Sequence, residues 1–276
     1  MENDFYIPQL PLIKDTVCAF WQVHRHNNPS LNETIIPKGV VEIIFNFEAT
    51  NLYAKIIQQS LTIPRCFIQG FHTCPVQLHL ADSQTFFGLI LHPTAVKYIF
   101  HFHTCPVQLH LADSQTFFGV ILHPTAVKYI FHFHPVEFTN CVIDLTLVDT
   151  SFYSLWHRLG EQNNFNDRVT VFTEWLFNRL PQLTEREKAF NNFLNTHSDI
   201  HLAVSEVANR FCYSSKQLSR KLYELTGLNT EQTLLYKKYL QAIHLMHYSE
   251  LSLTEIAYSC QFFDQSHFIK TFKTIS

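Results

Sequence analysis

The sequence predicts an α+β protein: a β-rich, jelly-roll-like N-terminal domain with flanking helices, followed by an all-α domain. Three observations carry this. In the first half the apolar residues fall in short runs rich in β-branched and aromatic side chains, broken by turn formers. From residue 186 onward they recur at helical spacing almost without interruption. Between the two, residues 151–180 read as two helices and PQLTE (181–185) as a linker, which sets domain boundaries at 1–181 and 186–276.

Composition narrows the class. A 46% hydrophobic fraction with 16% charged residues is that of a core-forming chain, and 26 Phe against six Gly argue against low complexity. No uncharged run of about 18 apolar residues appears, so no membrane partner is expected. The opening MENDFYIPQLPLIKD lacks the basic-then-apolar order of a signal peptide. The seven Cys stand singly, with no CxxC, and read as free thiols of a reducing cytoplasm. Residues 1–185 hold 10 Lys and Arg against 15 Asp and Glu, while residues 186–276 hold 10 against 8. The two parts therefore carry opposite charge, which suggests different tasks.

In chain order, VVEIIFNF (40–47), RCFIQGF (65–71), VQLHL (76–80) and TFFGLILH (85–92) read as strands, and PTAVKYIF (93–100) as a short helix opened by Pro. SFYSLWHRLGEQ (151–162) and NDRVTVFTEWLFNRL (166–180) have helical spacing, the second with Asn166 as expected N-cap. Further helices are expected at about 186–196, 203–210, 215–226, 230–247, 253–260 and 264–274.

Two internal repeats cut across this order. Phe71–His103 recurs as Phe102–His134 with a period of 31 residues, and Leu89 against Val120 is the sole difference. Two units are too few for a solenoid, and because its copies are nearly identical the tandem duplication 71–101/102–132 reads as a recent event. One copy is expected to complete the β-domain and the other to form an extra layer or bulge. The second repeat is older. VSEVANRFCYSSKQLSRKL (204–222) aligns with LTEIAYSCQFFDQSHFIKTF (253–272), matching Glu206, Val207 and Ala208 with Glu255, Ile256 and Ala257. Leu218, Arg220 and Leu222 likewise match Phe268, Lys270 and Phe272.

Each older copy reads as a helix-turn-helix. A small Ala lets a second helix cross closely, and Ser214 or Asp264 caps that helix. Leu218 and Leu222, or Phe268 and Phe272, face the core at i and i+4. Lys216, Ser219 and Arg220, or Gln265, Ser266, His267 and Lys270, then point outward, where they reach base edges and phosphates from a major groove. A plain bundle with solvated polar faces is the competing explanation. The matched Ala, cap, apolar and basic positions of two pairs, joined by the helix TEQTLLYKKYLQAIHLMHY (230–248), count against it.

SSKQLSRKLYELTG (214–227), the Lys238 to Ala242 spacing and LTEIAYSCQFFDQSHFIKTFK (253–273) resemble the DNA-binding domain of AraC/XylS-type transcription regulators. The resemblance implies no enzymatic activity and no cofactor or metal. It implies a double helix-turn-helix domain with two recognition helices in successive major grooves of double-stranded DNA, contacting bases through the seven residues just named. It also implies Gly where this chain has Gln261, Pro where it has Thr230 and Arg where it has Lys238, so the second turn is expected to be strained. The family's last helix is not matched by the final KTIS, and the second recognition helix is expected to fray. IPKGVVEIIFNF, FIQGFHT, TFFGVILHP and the WHRL helix resemble the β-rich domain of uncharacterised function that precedes this DNA-binding domain in many bacterial regulators. The wider family implies a small-molecule effector or homodimerisation there.

A metal reading competes for the histidines. His132-x-His134-x-x-Glu137 comes close to a metal-binding cupin pattern and, with a first-row metal, would make a dioxygenase or isomerase site. Its spacing is one residue short, and the preceding AVKYIF reads as helix rather than strand. A third reading is a damaged regulator, carrying a duplication and impaired in DNA binding.

Overall fold

The structure, a computed structural model, describes residues 2–26, 33–35, 39–47, 52–56, 59–71, 76–78, 114–180, 182–196 and 199–275. Its centre is a six-stranded antiparallel sheet in the order β1 (Glu2–Tyr6), β2 (Val17–His26), β9 (Ser114–Leu122), β4 (Val41–Asn46), β7 (Cys66–Gln69) and β10 (Val142–Asp144). Two smaller pairs accompany it, β3 (Glu33–Ile35) with β8 (Val76–Leu78) and β5 (Leu52–Ile56) with β6 (Gln59–Ile63).

Alternation along the strands gives the main sheet two apolar faces. Phe20, Ile43, Phe45, Ile68, Phe118 and Val120 point to one side, where α2 (Pro124–Phe131), α4 (Ser151–Gly160) and α5 (Phe165–Phe177) cover them. Trp21, Ile44, Phe67, Phe117 and Ile121 point to the other. On that second face the fully buried carboxylate of Glu42 accepts hydrogen bonds from Trp21 Nε1 and Gln69 Nε2. Gly119 is required there, because a Cβ would sit 2.1 Å from the Trp21 ring.

The 31-residue duplication meets this frame unequally. The second copy supplies β9, which lies between β2 and β4, and it supplies α2, whose PTAVKYIF is helical as expected. From the first copy the described residues are Phe71 and β8, and the strand and helix expected at 85–100 lie outside them. One copy thus completes the sheet.

Two sequence expectations are corrected. The N-cap of α5 is Asn164, not Asn166: Asn164 has an extended backbone and accepts from Asp167 N–H at 2.9 Å, which places Asn166 inside the first turn. The segment taken as linker is partly built into the fold. Leu183 is buried, and Thr184 caps α6 (Glu185–Asn195) through a reciprocal bond with Glu187.

The helices after α6 follow the expected spans closely: α7 (Val204–Arg210), α8 (Ser215–Thr226), α9 (Thr230–Tyr248), α10 (Leu253–Ser259) and α11 (Gln265–Ile275). They pack directly on the β-rich part at two places of different chemistry. The first is polar. Thr125 Oγ1 donates to Asn191 Oδ1 at 2.6 Å, Lys128 Nζ and Tyr129 OH donate to Glu187 Oε1 at 2.5 and 2.7 Å, and Asn195 Nδ2 donates to His123 Nδ1 at 2.6 Å. Burial pushes the His123 imidazole down to about 4, so it stays neutral, with Nε2–H on the Lys14 carbonyl. The second place is apolar: the Phe71 ring packs against Tyr236 of α9, centroids 5.0 Å apart and tilted by 49°, and Gly39 lies so close to Leu240 that a Cβ would come within 2.9 Å of it.

Candidate nucleic-acid interface

The two short helix pairs are built alike, residue by residue. In the first, Val207 and Ala208 of α7 are buried, Tyr213 N–H closes the turn on Ala208 O at 2.9 Å, and Ser214 accepts from Gln217 N–H to cap α8. In the second, Ile256 and Ala257 of α10 are buried, and Phe262 N–H closes the turn on Ala257 O at 3.0 Å. Asp264 Oδ1 then accepts from His267 N–H at 2.6 Å. Both sequence-expected caps, Ser214 and Asp264, therefore act as caps.

The turns also match in strain. Cys212 has φ 54° and Gln261 has φ 57°, a left-handed conformation at equivalent positions. The strain expected at Gln261 is present, and its twin at Cys212 was missed because no family residue marked that position. Cys212 is exposed and forms no disulfide.

With Leu218 and Leu222 fully buried and Phe268 nearly so, the opposite faces of α8 and α11 point outward. Lys216 and Arg220 are exposed and Ser219 is half-buried beside them, while Gln265, Ser266, His267 and Lys270 are all exposed on α11. Lys216, Ser219 and Arg220 share one face of α8 at i, i+3 and i+4, and Ser266, His267 and Lys270 share the outward side of α11, while Gln265 stands in its first turn and accepts from Thr254 Oγ1 of α10 at 3.2 Å. The α11 helix continues through Ile275, with Phe268 and Phe272 packed among residues of α9 and α10.

Consecutive lysines fasten the linking helix α9 to α6 on one side and to the second unit on the other. Lys237 is buried and caps the end of α6, donating to Phe193 O and Thr196 O with its ammonium over the Phe193 ring. Burial lowers its pKa to about 8. Lys238 turns the other way and donates to Gln261 O at 3.0 Å, in the strained turn of the second unit. Lys237 escaped the sequence reading, in which a KK pair on a helix looks like solvated surface. The available signal was its place among Leu234, Tyr236 and Tyr239 on the buried face.

The histidine-rich segment is used otherwise than the metal reading requires. His132 ends α2 in a left-handed conformation, and Glu137 Oε1 accepts from the His134 backbone N–H at 3.0 Å at the start of a 3-10 turn, Pro135–Phe138. Among the described residues no three His, Cys, Asp or Glu side chains converge as ligands, and no helix is long and apolar enough to cross a membrane.

Comparison with known proteins adds the following. Residues 207–276 match a family described as a helix-turn-helix domain, and residues 5–104 match one described as a domain of unknown function (DUF6597). The transcriptional activator RhaS of Escherichia coli K12 is 31% identical over 130 residues, covering 42% of this chain and 47% of RhaS. The chain thus spans about half the length of the curated relatives it matches. Among solved structures, ToxT from Vibrio cholerae aligns at 11% identity and a TM-score of 0.44, over 93% of this chain and 94% of ToxT. The C-terminal domain of the response regulator yesN from Fusobacterium nucleatum aligns at 26% identity and a TM-score of 0.29, over 33% of this chain and 94% of its own. Residues 207–276 are thus similar to a helix-turn-helix domain, in keeping with the two paired-helix units described above.

Proposed function

We propose that the chain is a cytoplasmic, sequence-specific DNA-binding transcription regulator that sets α8 and α11 into successive major grooves. The observation that carries this is the equivalence of the two units, which share the buried Ala, the left-handed turn residue and the side-chain cap, and which one helix fastens together. Lys216, Ser219 and Arg220 read the first half-site, and Gln265, Ser266, His267 and Lys270 the second. Residues 186–276 form the DNA-binding domain. Residues 1–181 form a sensor or dimerisation domain that takes a small-molecule effector, a second copy of the chain, or both. In this reading the chain has no enzymatic role.

Selection of bound sequences from random DNA, followed by band shifts on the winners, tests the reading. Two half-sites about 34 Å apart are expected. Arg220→Ala should weaken binding about tenfold or more, and should lower the salt slope by about 1 if its contact is to phosphate. Unchanged affinity together with unchanged salt dependence would remove Arg220 from the interface.

A further inference from the structure

A single exposed apolar side chain is ordinary on a protein surface. Phe263 is set apart by where it stands. In the first helix-turn-helix unit one residue, Tyr213, separates the left-handed Cys212 from the cap Ser214. In the second, two residues, Phe262 and Phe263, separate the left-handed Gln261 from the cap Asp264.

The added residue is Phe263, because Phe262 does in the second unit what Tyr213 does in the first. Each donates the N–H that closes its turn on the buried Ala, Tyr213 to Ala208 O and Phe262 to Ala257 O. Each also packs inward: Tyr213 lies against the cluster that holds Leu218, and the Phe262 ring lies 5.1 Å from that of Phe268. An apolar residue directly before a cap commonly staples the helix by packing on its fourth residue, which in α11 is Phe268. Phe262 fills that place, and Phe263 is left 87% exposed. It stands at the start of α11, ahead of the exposed Gln265, Ser266 and His267 of the first turn.

We infer that Phe263 is a specificity-determining residue of the second half-site, its ring packing against the 5-methyl group of a thymine in the major groove. This role rests on the regulator reading above. When a recognition helix enters a major groove, its N-terminal residues meet the base edges. Among the four bases only thymine presents a methyl group there, and a Phe side chain matches it by apolar contact. The hydrogen-bonding groups of Gln265, Ser266 and His267 do not read that methyl. Folding gains nothing from a ring left in water, whereas docking on DNA removes the water from it. The first unit has no residue at this place, so the contact gives the two half-sites different sequences.

The test uses the full chain and the DNA it selects from a random pool, with each thymine replaced singly by uracil, which lacks only the methyl group. At one thymine, uracil should weaken wild-type binding about fourfold, and Phe263→Ala should bind the thymine and uracil forms equally. Phe263→Ala should also bind the selected DNA about fivefold more weakly than the wild type, with the same salt slope because no phosphate contact is lost. Its Tm should match that of the wild type, since the ring is exposed. Equal DNA affinity of variant and wild type, a selected site without thymine, or a lowered Tm of the variant would overturn this role and leave the regulator reading in place. A weaker variant with no uracil effect at any thymine, or with the same effects as the wild type, would likewise overturn the methyl contact, pointing instead to a ring wedged elsewhere on the DNA. A wild-type chain that selects no DNA would strike the regulator reading itself, and this role with it.

Discussion

At Glu187 one carboxylate accepts hydrogen bonds from both halves of the molecule: Thr184 at the start of its own helix, and Lys128 and Tyr129 of the β-rich part. Burial opposes its ionisation, but the hydrogen bonds from Lys128, Tyr129 and Thr184 outweigh that and hold its pKa at about 2, against 4.5 in the unfolded chain. The folded state then binds fewer protons than the unfolded state between these values. Stability from this group is full above pH 4.5 and is lost as pH falls toward 2. Glu187→Gln should flatten that acid limb in urea unfolding and lower stability near neutral pH by on the order of 2 kcal/mol. Gly119 is a second single-residue test. Its Cα lies under Trp21, the residue that donates to buried Glu42, so Gly119→Ala should cost about 3 kcal/mol or more, read as a fall in Tm.

At the scale of elements, the two helix-turn-helix units differ more in sequence than in geometry. The buried Ala, the cap and the apolar pair recur in both, and those positions are constrained by close helix crossing and by orphan N–H groups. Between the helices both turns hold a left-handed residue, and neither unit has Gly there. Gln261→Gly should therefore stabilise the second unit by roughly 1 kcal/mol, raising Tm by about 2–4 °C if the chain melts in one transition. An unchanged or lower Tm would mean that the Gln261 side chain compensates for its backbone. The Lys238 bond to Gln261 O uses the backbone, so the substitution leaves it in place.

For the whole molecule, the duplication and the docking of the two parts are the decisive features. The sheet takes β9 and α2 from the second copy, and Phe71, from the first, packs on the linking helix. Removing residues 79–109, one 31-residue period, joins Leu78 to His110 and leaves an uninterrupted single copy. The shortened chain should keep the melting temperature and DNA affinity of the full one within error. Loss of folding would show that both copies are needed. The polar contacts of α6 on α2 and the apolar contact of α9 on Phe71 also tie the β-rich part to the helical part.

What the sequence determined by itself is what depends on period and on near neighbours. The spans of α7 to α11, the caps Ser214 and Asp264 and the strands β4 and β7 all follow from local rules acting within a few residues, whereas the strained turn at Gln261 followed from the family resemblance. The same rules misplaced one cap, since Asn164 and Asn166 are equally good capping residues and only the backbone at Asn164 is extended. Tertiary structure alone decided which polar side chains are buried and with whom. Arg168 donates to Gln22 across 146 positions, Asn191 accepts from Thr125 across 66, and Lys237 reaches Phe193 across 44. A hydrophobic pattern records which face of an element is buried, but not which element covers it. The partner of a buried charge is set by the approach of segments far apart in the chain.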